Sequence, residues 1–155
     1  SITVELASPT TKQILWSSKA ILNTSGYASA LFPQPVLGQT YYIVVKHRNS
    51  LDTWSQGTFG FNSPDTLYDF STAANKAFGN NMVQVEPGIF AIHSGDVNKD
   101  GIINYADFST LENTIGIGFQ TGYINTDING DGILESSDYS FIENKVQTIR
   151  TVLHP

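Results

Sequence analysis

Residues 96–107 read DVNKDGIINYAD, and residues 127–138 read DINGDGILESSD. Both segments carry aspartate at positions 1, 5 and 12, asparagine at position 3 and glycine at position 6. The two copies, named loop 1 and loop 2 from here on, are offset by 31 residues. Clusters of Asn, Asp and Gly often form ordinary turns. A second copy with the same spacing instead indicates that both segments have the same function.

The spacing of these oxygen-bearing residues is typical of an EF-hand-type calcium loop. Calcium takes 6–8 oxygen ligands, and a short loop supplies them when alternate residues turn inward around a sharp bend. The glycine at position 6, Gly101 or Gly132, permits that bend. We therefore predict two calcium ions, one in each loop. The predicted ligands are Asp96, Asn98, Asp100, the carbonyl of Ile102, Asn104 and Asp107 in loop 1, and Asp127, Asn129, Asp131, the carbonyl of Ile133, Glu135 and Asp138 in loop 2.

The duplication continues beyond the loops. Each loop is followed by apolar residues at helical spacing, which predicts a short helix with one apolar stripe. No regular helix is predicted before either loop. Position 8 is apolar in both copies, which suggests that the loops pair back to back. These features involve Phe108, Leu111 and Ile115 in the first stripe, Tyr139, Ile142 and Val146 in the second, Ile103 and Leu134 at position 8, and the repeated pairs Glu112-Asn113 and Glu143-Asn144.

These duplicated loop–helix units, of the form GDVNxDGxIN and without an entering helix, resemble type I dockerins. The resemblance covers about residues 94–150. It implies a secreted bacterial module that binds two calcium ions and docks onto cohesin domains. It also implies partner-binding residues at loop positions 10 and 11, which are Tyr105 and Ala106 in the first copy and Ser136 and Ser137 in the second.

The first part of the chain is predicted to be all-β, because short apolar stretches alternate with turn residues. It resembles small sandwich modules of bacterial secreted proteins. The predicted fold is a mainly β immunoglobulin-like or prealbumin-like sandwich at residues 1–93, followed by the α-helical dockerin-like module at residues 94–155. We expect the two to pack together without a flexible linker. Strands are predicted at residues 2–6, 13–16, 20–23, 27–32, 40–47, 58–61, 66–70, 82–85 and 89–93, with a helical turn or two at residues 71–78.

Charge is distributed unevenly along the chain. Residues 1–95 hold five acidic and five basic residues, whereas residues 96–155 hold nine acidic and three basic ones, so the whole net charge of −6 lies in the second part. No basic patch suggests nucleic-acid binding, and no run of about 20 apolar residues suggests membrane insertion. Lys46, His47 and Arg48 are interpreted as a solvated strand end, with an anion site as the alternative.

Function is predicted to be non-catalytic, since the sequence contains none of the common catalytic motifs. The main hypothesis is an extracellular, cell-surface calcium-binding module that attaches or assembles a larger secreted protein. Its partner would be a cohesin-like domain or a neighbouring module. One alternative is a carbohydrate-binding module, with Trp16 and Trp54 stacking on the sugar rings of a polysaccharide. The other is a structural spacer made rigid by calcium.

Overall fold

The chain divides into two compact units. The computed structural model describes residues 1–118, 120–143 and 148–155. The first unit comprises Ser1–His47, Asp52–Ile92 and Leu153–Pro155, and the second comprises Arg48–Leu51 and His93–Val152. Residues 48–51 therefore belong to the second unit, although the residues on both sides of them belong to the first.

The first unit is built on a five-stranded antiparallel sheet. Its strands are β1 (Ile2–Ala7), β2 (Ile14–Ala20), β3 (Thr40–His47), β4 (Thr53–Trp54) and β5 (Phe59–Gly60). Strand β1 lies between β2 and β3, and β3 pairs in turn with β4 and β5. The long strand β3 matches the predicted strand at residues 40–47, whose β-branched and aromatic residues favour a pleated surface.

A core of aliphatic and aromatic side chains lies against this sheet. Leu6, Val36, Tyr41 and Ile43 are buried at its centre. Aromatic rings surround them with edge-on contacts, such as the 5.3 Å between the ring centroids of Phe59 and Tyr68. The half-buried aromatic residues packed on this core are Trp16, Phe32, Phe59, Phe61, Tyr68 and Phe70.

The rest of the first unit is a second hairpin and short helical turns. Strands β6 (Val83–Glu86) and β7 (Ile89–Ala91) pair antiparallel. Three single-turn 3-10 helices span Gln34–Val36, Ala74–Lys76 and Phe78–Asn80. The last two overlap the predicted helical turns at residues 71–78.

Several predicted strands are wrong. Residues 13–16 and 20–23 contribute to one strand that ends at Ala20, and no strand forms within residues 27–32 or 66–70. Pro33 and Pro35 follow the first of these stretches closely and cannot donate to a ladder. In the second stretch Tyr68 packs on the core through its side chain while its backbone stays outside the sheet. A mainly β first part made of small antiparallel sheets is confirmed. The sandwich stays a prediction.

The described residues of the second unit form two helices and four two-residue strands. The predicted helix after each loop is confirmed by α1 (Tyr105–Gly116) and α2 (Ser136–Glu143), and both begin at loop position 10. Strand β8 (Ile102–Ile103) pairs with β11 (Arg150–Thr151), and β9 (Gln120–Thr121) pairs with β10 (Ile133–Leu134). The predicted back-to-back pairing of the two loops is therefore wrong, because each loop strand has a different partner.

The position 8 side chains are nevertheless buried, as are the central residues of both predicted stripes. Leu111, Leu134 and Ile142 form the core cluster of this unit, and Ile103 is also fully buried. Half-buried side chains that pack against this cluster include Phe108, Ile115 and Tyr139. Two sequence predictions, Val146 in the second stripe and Asn144 in the repeated pair, fall outside the described residues.

Across the described ranges, no helix has both the length and the apolar character needed to cross a membrane.

Candidate metal centre

The two loops have the same backbone conformation. At position 6, Gly101 and Gly132 both have φ of 83°. At position 4, Lys99 has φ of 60° and Gly130 has φ of 79°. Left-handed backbone at the same two positions of both copies means that the sequence repeat is also a structural repeat. Position 4 is a feature that the sequence pattern did not reveal, since only one copy has glycine there.

The side chains at positions 3 and 5 contact each other in both loops. The position 3 amide nitrogen donates to the position 5 carboxylate, while the position 3 amide oxygen accepts from the position 5 backbone N–H. The position 5 carboxylate also accepts from the backbone N–H at position 7. The three distances are 2.8, 3.0 and 2.9 Å for Asn98, Asp100 and Ile102, and 2.9, 2.9 and 2.8 Å for Asn129, Asp131 and Ile133.

The carboxylate at position 12 is fully buried and turned back onto the loop. Asp107 accepts hydrogen bonds from the backbone N–H groups of positions 2, 3 and 9, and Asp138 does the same. At position 9, Asn104 caps helix α1 by accepting from the N–H of Ala106 at 2.6 Å. The N–H to carboxylate distances are 2.8, 3.2 and 2.9 Å in loop 1 and 2.7, 3.2 and 3.1 Å in loop 2. A carboxylate has about four lone-pair sites, so each position 12 group keeps limited capacity for a metal.

The carboxylate at position 1 is where the loops differ. Asp96 and Asp127 are both buried. Asp127 accepts from the N–H of Gly130 at 2.8 Å through Oδ1 and from the N–H of Gly132 at 3.2 Å through Oδ2. In loop 1, the buried Oδ1 of Asp96 has no hydrogen-bond partner among the described residues. Its Oδ2 lies 3.7 Å from Nζ of Lys99.

Burial raises the pKa of two loop 1 carboxyls, Asp96 and Asp107, above the usual value for aspartate. For Asp96, the Lys99 ammonium acts in the opposite direction without cancelling the effect of burial. For Asp107, the backbone N–H donors also oppose it. A raised pKa means that the charged form is short of compensation. A bound cation supplies compensation of that kind.

The donor types present fit a calcium ion. Carboxylate, amide and carbonyl oxygens are the ligands that this hard cation prefers, and the unpartnered Oδ1 of Asp96 is a buried acceptor that needs one. In the part of the chain that the structure describes, no three or more His, Cys, Asp or Glu side chains form a metal-binding group by themselves. A calcium ion in either loop would therefore need asparagine and backbone carbonyl oxygens as well as carboxylates.

Arg48, for which the sequence offered an anion site only as the alternative, and Asn49, which it did not indicate, contact loop 2. Arg48 donates from Nη2 to the carbonyl and to Oδ2 of Asp127, at 2.6 and 3.2 Å. Asn49 donates to the same carbonyl at 2.9 Å. The interpretation of Arg48 as part of a solvated strand end is therefore wrong. It binds an anion within its own chain, almost 80 residues away in the sequence, and no local pattern signals such a distant pair.

The candidate partner-binding residues lie at the start of the two helices. Tyr105 has 66% of its surface exposed. Ala106 and Ser136 are also exposed. Ser137 is half-buried; its hydroxyl donates to Glu135 and accepts from Asn129, both at 3.0 Å. Three of the four residues are thus accessible, whereas the fourth is engaged within its own loop.

The tryptophans proposed for sugar stacking lie in the first unit and are half-buried. Trp16 packs against the aromatic core. The ring of Trp54 lies 6.2 Å from that of Tyr42 and 6.0 Å from that of His154, between centroids. These contacts are those of core and edge residues.

Comparison with known proteins identifies part of the second unit. Residues 94–147, about a third of the chain, match the family model of the type I dockerin domain. Domains of this family are non-catalytic docking modules that bind calcium and take cohesin domains as partners. No curated protein and no solved structure matched the chain. Nothing in these comparisons supports polysaccharide binding.

Proposed function

We propose that loops 1 and 2 each bind one calcium ion and that the calcium-bound form docks onto another protein domain. The observation that carries this proposal is the repeat of one loop conformation, down to the left-handed backbone at positions 4 and 6, inside the segment that matches the dockerin model. The proposed ligands are the twelve residues predicted from the sequence.

Each loop contributes to the site through its own residues. The carboxylate at position 1 lies buried beneath the loop, while positions 3 and 5 hold each other's side chains in place. The carboxylate at position 12 ties the start of the following helix to the start of the loop. Bound calcium would supply the positive charge that the buried carboxylates lack. The conformation of each loop is thereby coupled to the position of its helix.

The proposed docking surface is formed by loop positions 10 and 11 and the exposed sides of α1 and α2. Tyr105 and Ser136 are its central residues, because both are exposed and both begin a helix that follows a calcium loop. The proposed partner is a cohesin-like domain or a neighbouring module of a larger protein.

The proposed setting is a bacterial secreted or surface protein, in which extracellular calcium keeps the loops occupied. Extracellular calcium modules typically bind with dissociation constants of about 0.1–1 mM. Residues 1–93 and 94–155 are proposed as the two modules, with the first as the body that the second attaches to its partner.

Isothermal titration with calcium tests the metal sites. We expect two ions per chain in the unsubstituted protein and one in each of Asp100→Ala and Asp131→Ala, which remove the position 5 carboxylate from one loop each. Free calcium at 100 times the dissociation constant stabilises a protein by about 2.7 kcal/mol per site. We therefore expect EDTA to lower the melting temperature. Absence of calcium binding, or a melting temperature unchanged by EDTA, would refute the proposal.

A pull-down on immobilised cohesin domains tests docking. We expect capture in calcium and release in EDTA. Tyr105→Ala combined with Ser136→Ala should abolish capture while the calcium isotherm stays unchanged. The paired control is Ser17→Ala with Ser29→Ala, which alters exposed residues of the first unit, outside the proposed docking surface. Capture that survives EDTA would contradict the calcium-dependent mechanism.

A further inference from the structure

We propose that Arg48 and Asn49 are positioning residues for the calcium site of loop 2, an inference that rests on the proposed function above. In an EF-hand, a helix on each side fixes the ends of the calcium loop. Among the described residues directly before loop 2, residues 120–126, there is no helix; strand β9 and a series of turns occupy them. The hydrogen bonds that Arg48 and Asn49 donate fix position 1 of loop 2, as the entering helix does in an EF-hand.

The contacts converge on the start of loop 2. Nε of Arg48 donates to the carbonyl of Ile124 at 3.0 Å. Nη2 of Arg48 donates to the carbonyl of Asp127 at 2.6 Å, and Nδ2 of Asn49 donates to the same carbonyl at 2.9 Å. Together these bonds fix the backbone on both sides of Asn125 and Thr126 and set the direction in which the Asp127 side chain leaves the chain.

Both residues are held in place themselves. Asn49 is 1% exposed, and the side chain of Arg48 is 21% exposed. The guanidinium carbon of Arg48 lies 5.5 Å from the ring centroid of Tyr123, within cation–π range. The backbone of Asn49 also accepts a hydrogen bond from the N–H of Gly95 at 2.7 Å. A preorganised donor loses little conformational entropy when it fixes its acceptor.

Arg48 also carries a positive charge, which by itself would disfavour a second cation. The geometry favours a positioning role. Nε and Nη2 of Arg48 donate to backbone carbonyls. Nη2 also donates to Oδ2 of Asp127, at 3.2 Å, while Oδ1 accepts from the N–H of Gly130. Residues that contact a metal ligand from outside orient it, and their loss typically costs 10–100-fold in metal affinity. Asn49 is uncharged, so its contribution is positioning alone.

Loop 1 provides an internal comparison. Oδ2 of its position 1 residue, Asp96, lies 3.7 Å from Nζ of Lys99 in the same loop. The ammonium of Lys99 donates to the carbonyl of Ser50 at 2.6 Å. Changing the side chain of Arg48 or Asn49 should therefore affect loop 2 and leave loop 1 nearly unchanged.

Calcium titration of single-loop proteins tests the proposal. In the Asp100→Ala background, which leaves loop 2 as the intact site, Arg48→Met and Asn49→Ala should each lower calcium affinity about 10–100-fold. In the Asp131→Ala background, which leaves loop 1 intact, the same substitutions should shift affinity less than about threefold, which also shows that the variants are folded. Lys19→Met, which removes one positive charge from an exposed position, is the control for net charge.

The outcomes separate the two proposals. No calcium binding by the unsubstituted protein would overturn the proposed function together with this one. Two normal sites in the unsubstituted protein, with unchanged loop 2 affinity in Arg48→Met and Asn49→Ala, would overturn this proposal alone. Tighter binding by Arg48→Met would show that Arg48 competes with calcium, and would also overturn it. If Arg48→Met does not fold, the milder Asn49→Ala decides the question.

Discussion

Gly101 and Gly132 are the residues on which the shape of each loop depends most directly. Both have φ of 83°, a left-handed conformation that costs a residue with a side chain about 1–2 kcal/mol. A Cβ built on Gly132 meets nothing within 4 Å, whereas one on Gly101 lies 3.4 Å from Cγ2 of Val152.

We predict that Gly132→Ala lowers the free energy of unfolding of the second unit by about 1–2 kcal/mol through backbone strain alone. Gly101→Ala should cost about the same, because its Cβ would meet Cγ2 of Val152 at 3.4 Å, an ordinary van der Waals distance. Urea denaturation in EDTA measures both without the contribution of metal. Gly57→Ala is the matched control, since Gly57 has neither a positive φ nor a close neighbour. Equal stability in all three variants would mean that the loops are not held in this conformation.

Helix α1 has one fully buried apolar side chain, Leu111, in addition to the buried carboxylate of Asp107. The ring of Phe108, on the same stripe, lies 5.5 Å from that of Tyr139 in α2. The hydrogen bonds between Asn104 and the first turn add a cap at the start of the helix.

We predict that Leu111→Ala lowers the free energy of unfolding by about 2–5 kcal/mol, the usual cost of creating a cavity at a fully buried position. The loss should be present in EDTA and in calcium alike, because Leu111 supports the packing of the helix. Ser109→Ala, at an exposed position of the same helix, should stay within about 0.5 kcal/mol of the unsubstituted protein. Thermal denaturation followed by circular dichroism measures both. A loss for Leu111→Ala below that of the control would contradict the packing described for α1.

Elements with strong local signals could be predicted from the sequence, and elements that depend on distant partners could not. The run of β-branched and aromatic residues at Thr40–His47 identified β3, and the period of the apolar residues after each loop identified α1 and α2. Strand β4 has only two residues, and they are a strand because they pair with β3. Ile103 and Leu134 were recognised as buried, but their strand partners lie elsewhere in the chain.

The same distinction holds for the candidate site. The proposed ligand residues follow from a fixed spacing along twelve residues. The contact between Arg48 and Asp127 joins two segments that the sequence separates widely. Lys46, His47 and Arg48 are consecutive, and the sequence does not indicate which of their side chains contacts loop 2. Lys46 pairs instead with Glu5 and Asp52 in the first unit.

Over the whole molecule, the uneven charge distribution governs how stability responds to solution conditions. The entire net charge of −6 lies in residues 96–155, and buried carboxylates contribute to it. Carboxylates clustered in this way repel one another when no cation compensates them.

We predict that, in EDTA, raising sodium chloride from about 10 mM to about 0.5 M increases the melting temperature of the second unit, because salt screens this repulsion. In saturating calcium the same change should have a much smaller effect, since two ions already neutralise part of the charge. Differential scanning calorimetry at constant pH measures both. A larger salt effect in calcium than in EDTA would contradict this account of the charge.

The two folded units are made of segments that alternate along the chain. This affects any attempt to transfer the matched segment, residues 94–147, to another protein. Residues 94–147 contain both loops and both helices. Their folded unit also includes Arg48–Leu51 from far upstream and strand β11 from just downstream. A graft of those residues onto a foreign protein would carry every proposed calcium ligand. It would leave behind the guanidinium and amide at Asp127 and the strand paired with Ile102–Ile103. A transferable unit would therefore need three segments that hydrogen bonds join: residues 48–51, the matched segment and strand β11.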